Sequence, residues 1–333
     1  MEITKTQKPP KGGLHGHTLE WKRRAGRIVK SVLRILFLIC MSFVMLYPIL
    51  FMLSSAFKSI LDAYDPTVIW VPKHFSLEPW KMAIEAMEFW KSFGRTLQML
   101  IPCVLLEVVS TTLTAYGFAR FKFRERNFLF GLLIFTIIVP VQTYMIPQYV
   151  GFSHFNFFGV MAIPGMLGAE LPNIAANTFT PMYLMAGLGM GIRSGLYIFI
   201  MRQFLRGLPV ELEEAALIDG CGPVKTLLKV MLPNVVPAIV TVLVFSVVWY
   251  WNDYYVSATY LTKNFPLSVN LTMLNGQLSS YSQQANISSA DMWLLKDSIL
   301  SCGCILVLLP LVIMYIFAQK QFTESIERTG IVG

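Results

Sequence analysis

Residues 211–237 read ELEEAALIDGCGPVKTLLKVMLPNVVP, and an apolar run of membrane length lies on each side of them. A charged, turn-rich interlude between two such runs already decides the kind of molecule. Hydrophobic residues make up 55% of the 333 and charged residues only 14%, against about 25% charged in an ordinary soluble domain. Mean hydropathy is +0.58. A length that would suit two soluble domains is therefore read as lipid-embedded.

Six runs approach the roughly 20 apolar residues that a helix needs to span hydrocarbon. They cover residues 35–57, 96–119, 128–150, 180–201, 232–254 and 298–319. The second contains one charge, Glu107, and the fourth one, Arg193. Backbone groups in lipid must be satisfied internally, so the runs are helices or barrel strands. The ten-residue alternation of barrel strands is absent. The expected fold class is an all-α integral membrane protein with six transmembrane helices in a domain spanning 32–319.

Lysine and arginine set the orientation. A basic tail over 1–31 carries Lys22, Arg23, Arg24, Arg27 and Lys30, and the turn after the second run reads RFKFRERN. Six alternating crossings put both on one side, which the positive-inside rule makes cytoplasmic. The 202–233 loop and the 320–333 tail then also lie inside, while 58–95, 151–180 and 261–297 face outward. The formal charge of +8 is thus topology, with contact to anionic lipid and no nucleic-acid partner. The first apolar run is too long for a removable signal and is read as an anchor.

The five cysteines and four histidines form no metal or catalytic pattern. Cys302-Gly303-Cys304 lacks ligand spacing and reads as close helix packing. Residues 80–90 suggest a short interfacial helix, and 151–183 an outward extension or partial re-entrant loop. Residues 270–290 read as a polar outer loop.

Within the opening stretch, Pro209 suits a helix start, and Glu211, Glu213 and Glu214 suit the positive end of its dipole. Leu208, Leu212, Ala215 and Ala216 make a narrow apolar stripe. Gly220 and Gly222-Pro223 stop the helix. A second short helix over 224–232 should present Leu227, Leu228 and Met231 on one face. A ten-residue rod of this kind, about 15 Å long, either docks in a partner's groove or rests on the membrane as a connecting helix. Surface-resting helices usually carry Lys/Arg on the polar face, not three glutamates.

The spacing Glu214-Ala215-Ala216, Gly220, Val230 and Leu232-Pro233, with Asp219 before the glycine, resembles the EAA motif of permease subunits of binding-protein-dependent ABC importers. LYPILFMLSSAFKS (46–59), AYGFARFKF (115–123), IMRQFLRGLP (200–209) and WYWNDY (249–254) resemble the carbohydrate-uptake branch, MalG-like subunits in particular. The likeness covers 30–333. It departs from the pattern at the 151–183 extension and at a tail without the usual terminal lysine-glycine.

The resemblance implies a cytoplasmic coupling loop between helices four and five that grips a separate ATPase. Glu214 would be the acidic contact, Gly220 the bend, and Ala215 and Ala216 the close packing. It further implies a second homologous permease, a dimer of cytoplasmic ABC ATPases and an extracytoplasmic sugar-binding protein, all at a bacterial cytoplasmic membrane. The chain has no GxxxxGK[ST] phosphate loop. ATP and magnesium belong on the ATPase, and no cofactor or enzymatic activity is expected of this chain.

Sugar contacts are harder to place. Trp249, Trp251, Asn252 and Asp253 have the aromatic and polar chemistry of saccharide sites, while both tryptophans equally suit an interfacial belt. Glu107 is costly in lipid unless paired or facing a cavity; lining the pathway and satisfying a neighbouring helix both remain open. A secondary, ion-coupled transporter is the alternative. It would call for inverted repeats and paired intramembrane charges, neither of which is visible.

Overall fold

The computed structural model describes the backbone of residues 14–154, 173–175 and 177–330, and side chains within those ranges from 26 to 319. Parts of the basic tail, most of the 151–183 extension and the last three residues lie outside them. The described chain is helical, with one isolated bridge pairing between Lys58 and Phe75.

In chain order the helices are α1 (Leu14–Ser55), α2 (Ile60–Tyr64), α3 (Glu78–Ala86), α4 (Phe89–Arg120), α5 (Arg126–Ile138), α6 (Val141–Ser153), α7 (Thr180–Gly187) and α8 (Ser194–Gly207). Then follow α9 (Glu211–Ile218), α10 (Pro223–Thr226), a π-helical turn Leu227–Met231, α11 (Leu232–Asn234), α12 (Val236–Trp251), α13 (Tyr255–Tyr260), α14 (Leu267–Gln284) and α15 (Ser289–Gly330).

Among the described residues three helices are long and apolar enough to cross a membrane: Gly26–Ser55, Phe89–Arg120 and Ser289–Gln319. Two bent pairs bring the number to as many as five. They are α5 with α6, turned by 107°, and Pro223–Asn234 with α12, turned by 82°.

The central mast is α4, which packs on α7, α8, α12 and α14. Its buried residues recur at three- and four-residue steps, including Ser92, Thr96, Met99, Cys103, Glu107, Ser110 and Thr111. Ile101, Leu105, Val109 and Leu113 stay exposed on the opposite side. Polar groups turned inward and aliphatic ones outward are what a bilayer demands. Among the described residues nothing buries the apolar window of α1, as suits a lipid-facing helix.

Several expectations need correction. The run at 180–201 is not one helix, because residues 188–193 leave helical geometry, with Gly189 at φ +70° and Arg193 at φ +65°. Clustered glycines weaken the helix by about 1 kcal/mol each. The run at 128–150 bends where Val139, extended at ψ 122°, precedes Pro140, as the residue before a proline tends to.

The polar outer loop expected at 270–290 is largely helix α14. Leu267, Asn270, Leu274 and Leu278 are buried along one face, a 3.6-residue period masked by the Ser and Gln between them. Leu228 is 58% exposed, so it does not share a face with the buried Leu227 and Met231. The first helix starts at Leu14 rather than near residue 35.

At Gly303 an added Cβ would lie 2.9 Å from Leu274 Cδ2 and 3.1 Å from Met87 Sδ. That glycine lets α15 approach α14 and the α3–α4 corner closely.

Candidate coupling elbow and membrane-core network

α8 ends at Gly207 and the chain turns through extended Leu208 into α9. Glu211, Glu213 and Glu214 occupy the first turn of α9 and complement its dipole. Its far end is a Schellman cap. Cys221 N–H donates to Ala216 O at 2.9 Å and Gly220 N–H to Leu217 O at 3.0 Å, with Gly220 at φ +74°. A side chain at that φ is strained, which is why glycine ends this helix. Gly222 is extended and Pro223 opens α10, reversing the chain beneath the bundle.

Arg120, in the last turn of α4, holds this elbow in place. Its Nη2 donates to Leu205 O at 2.7 Å and to Leu208 O at 2.8 Å. Its Nε lies 3.7 Å from Glu213 Oε2, with both side chains largely buried. Arg202 adds a second tie. Its Nε donates to Phe118 O at 3.3 Å, and its guanidinium sits 3.7 Å from the centroid of the Phe130 ring. No sequence signal singles out Arg202. The only sequence signal for Arg120 was its basic turn, and for Glu213 its place in the acidic one.

The expected coupling residues divide into two groups. Ala216 is buried against its own bundle, whereas Glu214, Ala215, Asp219 and Gly220 are exposed. Leu232 is half-buried and Pro233 exposed. Outside the motif, Leu217 (58%), Ile218 (86%) and Val224 (71%) also present apolar surface outward. The elbow thus offers an apolar knob beside a free carboxylate, the kind of exposed patch that marks an interaction site.

A second constellation lies within the membrane runs. Glu107 is fully buried. Its Oε1 accepts from Ser194 Oγ, and its Oε2 accepts from Tyr250 OH at 2.8 Å. Tyr250 OH in turn accepts from Ile192 N at 3.3 Å. Mast, broken span and α12 therefore meet on one carboxylate, which the N-terminus of α8 also favours. A Cβ at Gly191 would collide with Glu107 Oε2 and Tyr250 OH, so any larger residue there must displace this network.

The other pathway candidates do not share a surface. Trp251 is buried, its Nε1–H donating to Val307 O at 3.0 Å. Trp249 is 40% exposed and carries the Arg193 guanidinium over its ring at 4.3 Å. Asp253 caps α13, accepting from Val256 N at 3.2 Å and Ser257 N at 2.7 Å. Asn252 bonds back to Val248 O and is exposed. Among the described residues no three His, Cys, Asp or Glu side chains cluster as metal ligands.

Comparisons with known proteins agree on one family. Residues 107–328 match the model described as "Binding-protein-dependent transport system inner membrane component". A protein of Thermoanaerobacterium thermosulfurigenes named as a starch degradation products transport system permease, AmyC, is 26% identical over 86% of this chain and 92% of its own. The arabinooligosaccharides transport system permease protein AraQ of Halalkalibacterium halodurans is 26% identical over 94% of this chain and 100% of its own. A solved bacterial ABC transporter involved in import of the acidic polysaccharide alginate shares the fold. Its TM-score is 0.66 at 20% identity, over 90% of this chain and 98% of the matched one. The match spans the mast carboxylate, the elbow and the closing helix together, and the chain belongs to the family of inner membrane components of binding-protein-dependent transport systems.

Proposed function

We propose that this chain is a permease subunit of an ATP-driven ABC importer that carries a sugar or oligosaccharide across the cytoplasmic membrane. The observation that carries the reading is the elbow: an exposed acidic and apolar α9, closed by the Gly220 cap and clamped to the mast through Arg120. The relatives' names supply the substrate class.

In this reading α1, α4, the α5–α6 pair, the α7–α8 pair, α12 with its bent approach, and α15 are six crossings. Both termini and α9 then lie in the cytoplasm. The partners are a second, homologous permease, a dimer of ABC ATPases that binds ATP and magnesium, and an extracytoplasmic sugar-binding protein.

A partner drives a conformational change only if it binds the two states differently. Closure of the ATPase dimer would pull Glu214, Leu217 and Ile218, and the buried Arg120–Glu213 contact would pass that displacement to α4 and α8. A deformable loop would absorb it.

The test is to purify the complex through a tag on this chain and follow uptake as ATP is withdrawn. Co-purification of an ATPase and uptake that stops with ATP depletion are expected. Uptake that persists without ATP and collapses with an ionophore would overturn the reading in favour of an ion-coupled carrier.

A further inference from the structure

At the Phe89 end of α4, two adjoining cavities of about 240 and 470 Å³ share Arg95, Gln98 and Asn264. Arg95 and Arg120 are 25 residues apart on one helix, so at about 1.5 Å per residue this cleft lies nearly 40 Å from the elbow. It is on the opposite face of the bundle. The larger cavity falls in the size range of small-ligand sites.

The lining carries a surplus of positive charge. Among the described residues neither Arg95 nor Lys263 forms an ion pair, and Arg95 Nη1 meets only Gln98 Oε1, at 3.2 Å. Lys91, on the larger cavity, is held by Glu88 at 3.2 Å, which leaves Arg95 and Lys263 as the surplus cations.

The rim is rigid. Asn177 Oδ1 accepts from both Thr262 N and Lys263 N at 3.2 Å, and Asn177 N donates to Tyr260 O at 2.9 Å. Asn177 and Asn264 both hold left-handed backbone, φ 52° and 57°. Strained positions fixed by their surroundings gather at ligand sites, and a preformed rim reduces the ordering cost of binding.

We propose that this cleft is a binding subsite for a uronate-bearing oligosaccharide, with Arg95 and Lys263 receiving the sugar carboxylate. Guanidinium groups bind carboxylates through charge-assisted, often paired hydrogen bonds, and a neutral sugar would leave both cations unmatched. This inference rests on the importer reading and narrows its substrate.

The experiment uses the importer complex purified through this chain and placed in nanodiscs. Binding of trigalacturonate is compared with that of its methyl ester by calorimetry at low salt. The acid should bind about tenfold or more tightly than the ester. Arg95→Gln and Lys263→Gln should each erode that preference, and Arg95→Lys should keep part of it.

Equal binding of acid and ester, no binding of either, or a preference indifferent to these substitutions would overturn the proposal. So would an Arg95→Gln complex that loses only its docking of sugar-free binding protein, since the cleft would then be a protein contact. ATP hydrolysis stimulated by the binding protein, measured on the same sample, separates the two readings. If stimulation persists while acid and ester bind alike, only the uronate subsite falls.

Discussion

Glu213 and Arg120 meet at the joint between α9 and the α4 mast, Nε to Oε2 at 3.7 Å, while Arg120 also closes the backbone carbonyls of Leu205 and Leu208. One guanidinium thus fixes the end of α8, the turn and the start of α9. Arg120→Ala should cost roughly 3 kcal/mol, as removal of one partner of a buried pair does. Glu213→Gln should cost only about 1 kcal/mol. Thermal unfolding of the detergent-solubilised protein measures both; equal shifts would mean that the carbonyl contacts contribute nothing.

Glu214 has no such internal role and is exposed. Glu214→Lys should leave stability within about 0.5 kcal/mol while lowering uptake at least tenfold, read as radiolabelled sugar accumulation against protein content of the membrane. Normal uptake would remove Glu214 from the coupling contact.

Ile218 stands 86% exposed whereas Ala216 is 5% exposed. In a background with Cys221 replaced, a cysteine at 218 should crosslink to the ATPase and respond to ATP, and one at 216 should react slowly or not at all. The reverse order of reactivity would mean that α9 is rotated about its axis.

The Glu107 network predicts a non-additive pair. Glu107→Ala strands Ser194 Oγ and Tyr250 OH and opens a cavity, for roughly 3 kcal/mol. Gly191→Ala drives a methyl group into the carboxylate and should destabilise by about 1–3 kcal/mol. With the carboxylate gone, the Tyr250 hydroxyl at 2.5 Å still crowds that methyl position but the closer clash is removed, so the double variant should fall short of the sum. Strict additivity in melting experiments would show that the two sites do not share this space.

Outside the membrane runs, Asp62 should make the α2 region acid-sensitive. Burial raises its pKa, but hydrogen bonds from the His74 backbone N–H at 2.9 Å and ring Nδ1 at 2.9 Å outweigh that and hold it below the ordinary carboxylate value. A lowered folded-state pKa stabilises above the unfolded value of about 3.9 and is lost as pH falls through the folded one. Asp62→Asn should therefore flatten the decline in melting temperature below about pH 4. An unchanged decline would assign the acid sensitivity to other carboxylates.

Much of this was legible in the chain. The membrane character, the helical class and the α9 stop at Gly220 follow from apolar run length, missing charge and the φ that only glycine adopts easily. Those are local properties, and residues 211–220 carry them in order. The break at 188–193 was less visible. Clustered glycines weaken a helix there, but that one of them, Gly191, packs against Glu107, some eighty residues away, only the packing shows.

The helix at 267–284 was also hidden, because its buried face is interleaved with Ser and Gln and only packing against Met87 and Gly303 reveals it. Sequence by itself determined what must sit in lipid and where α9 ends, since solvation and backbone sterics act residue by residue. Tertiary structure alone decided that Ala216 faces inward, that Glu213 rather than Glu214 is the internal tie, and that Arg95 and Lys263 share a cleft. Those outcomes depend on which distant side chains meet, and no local rule encodes that.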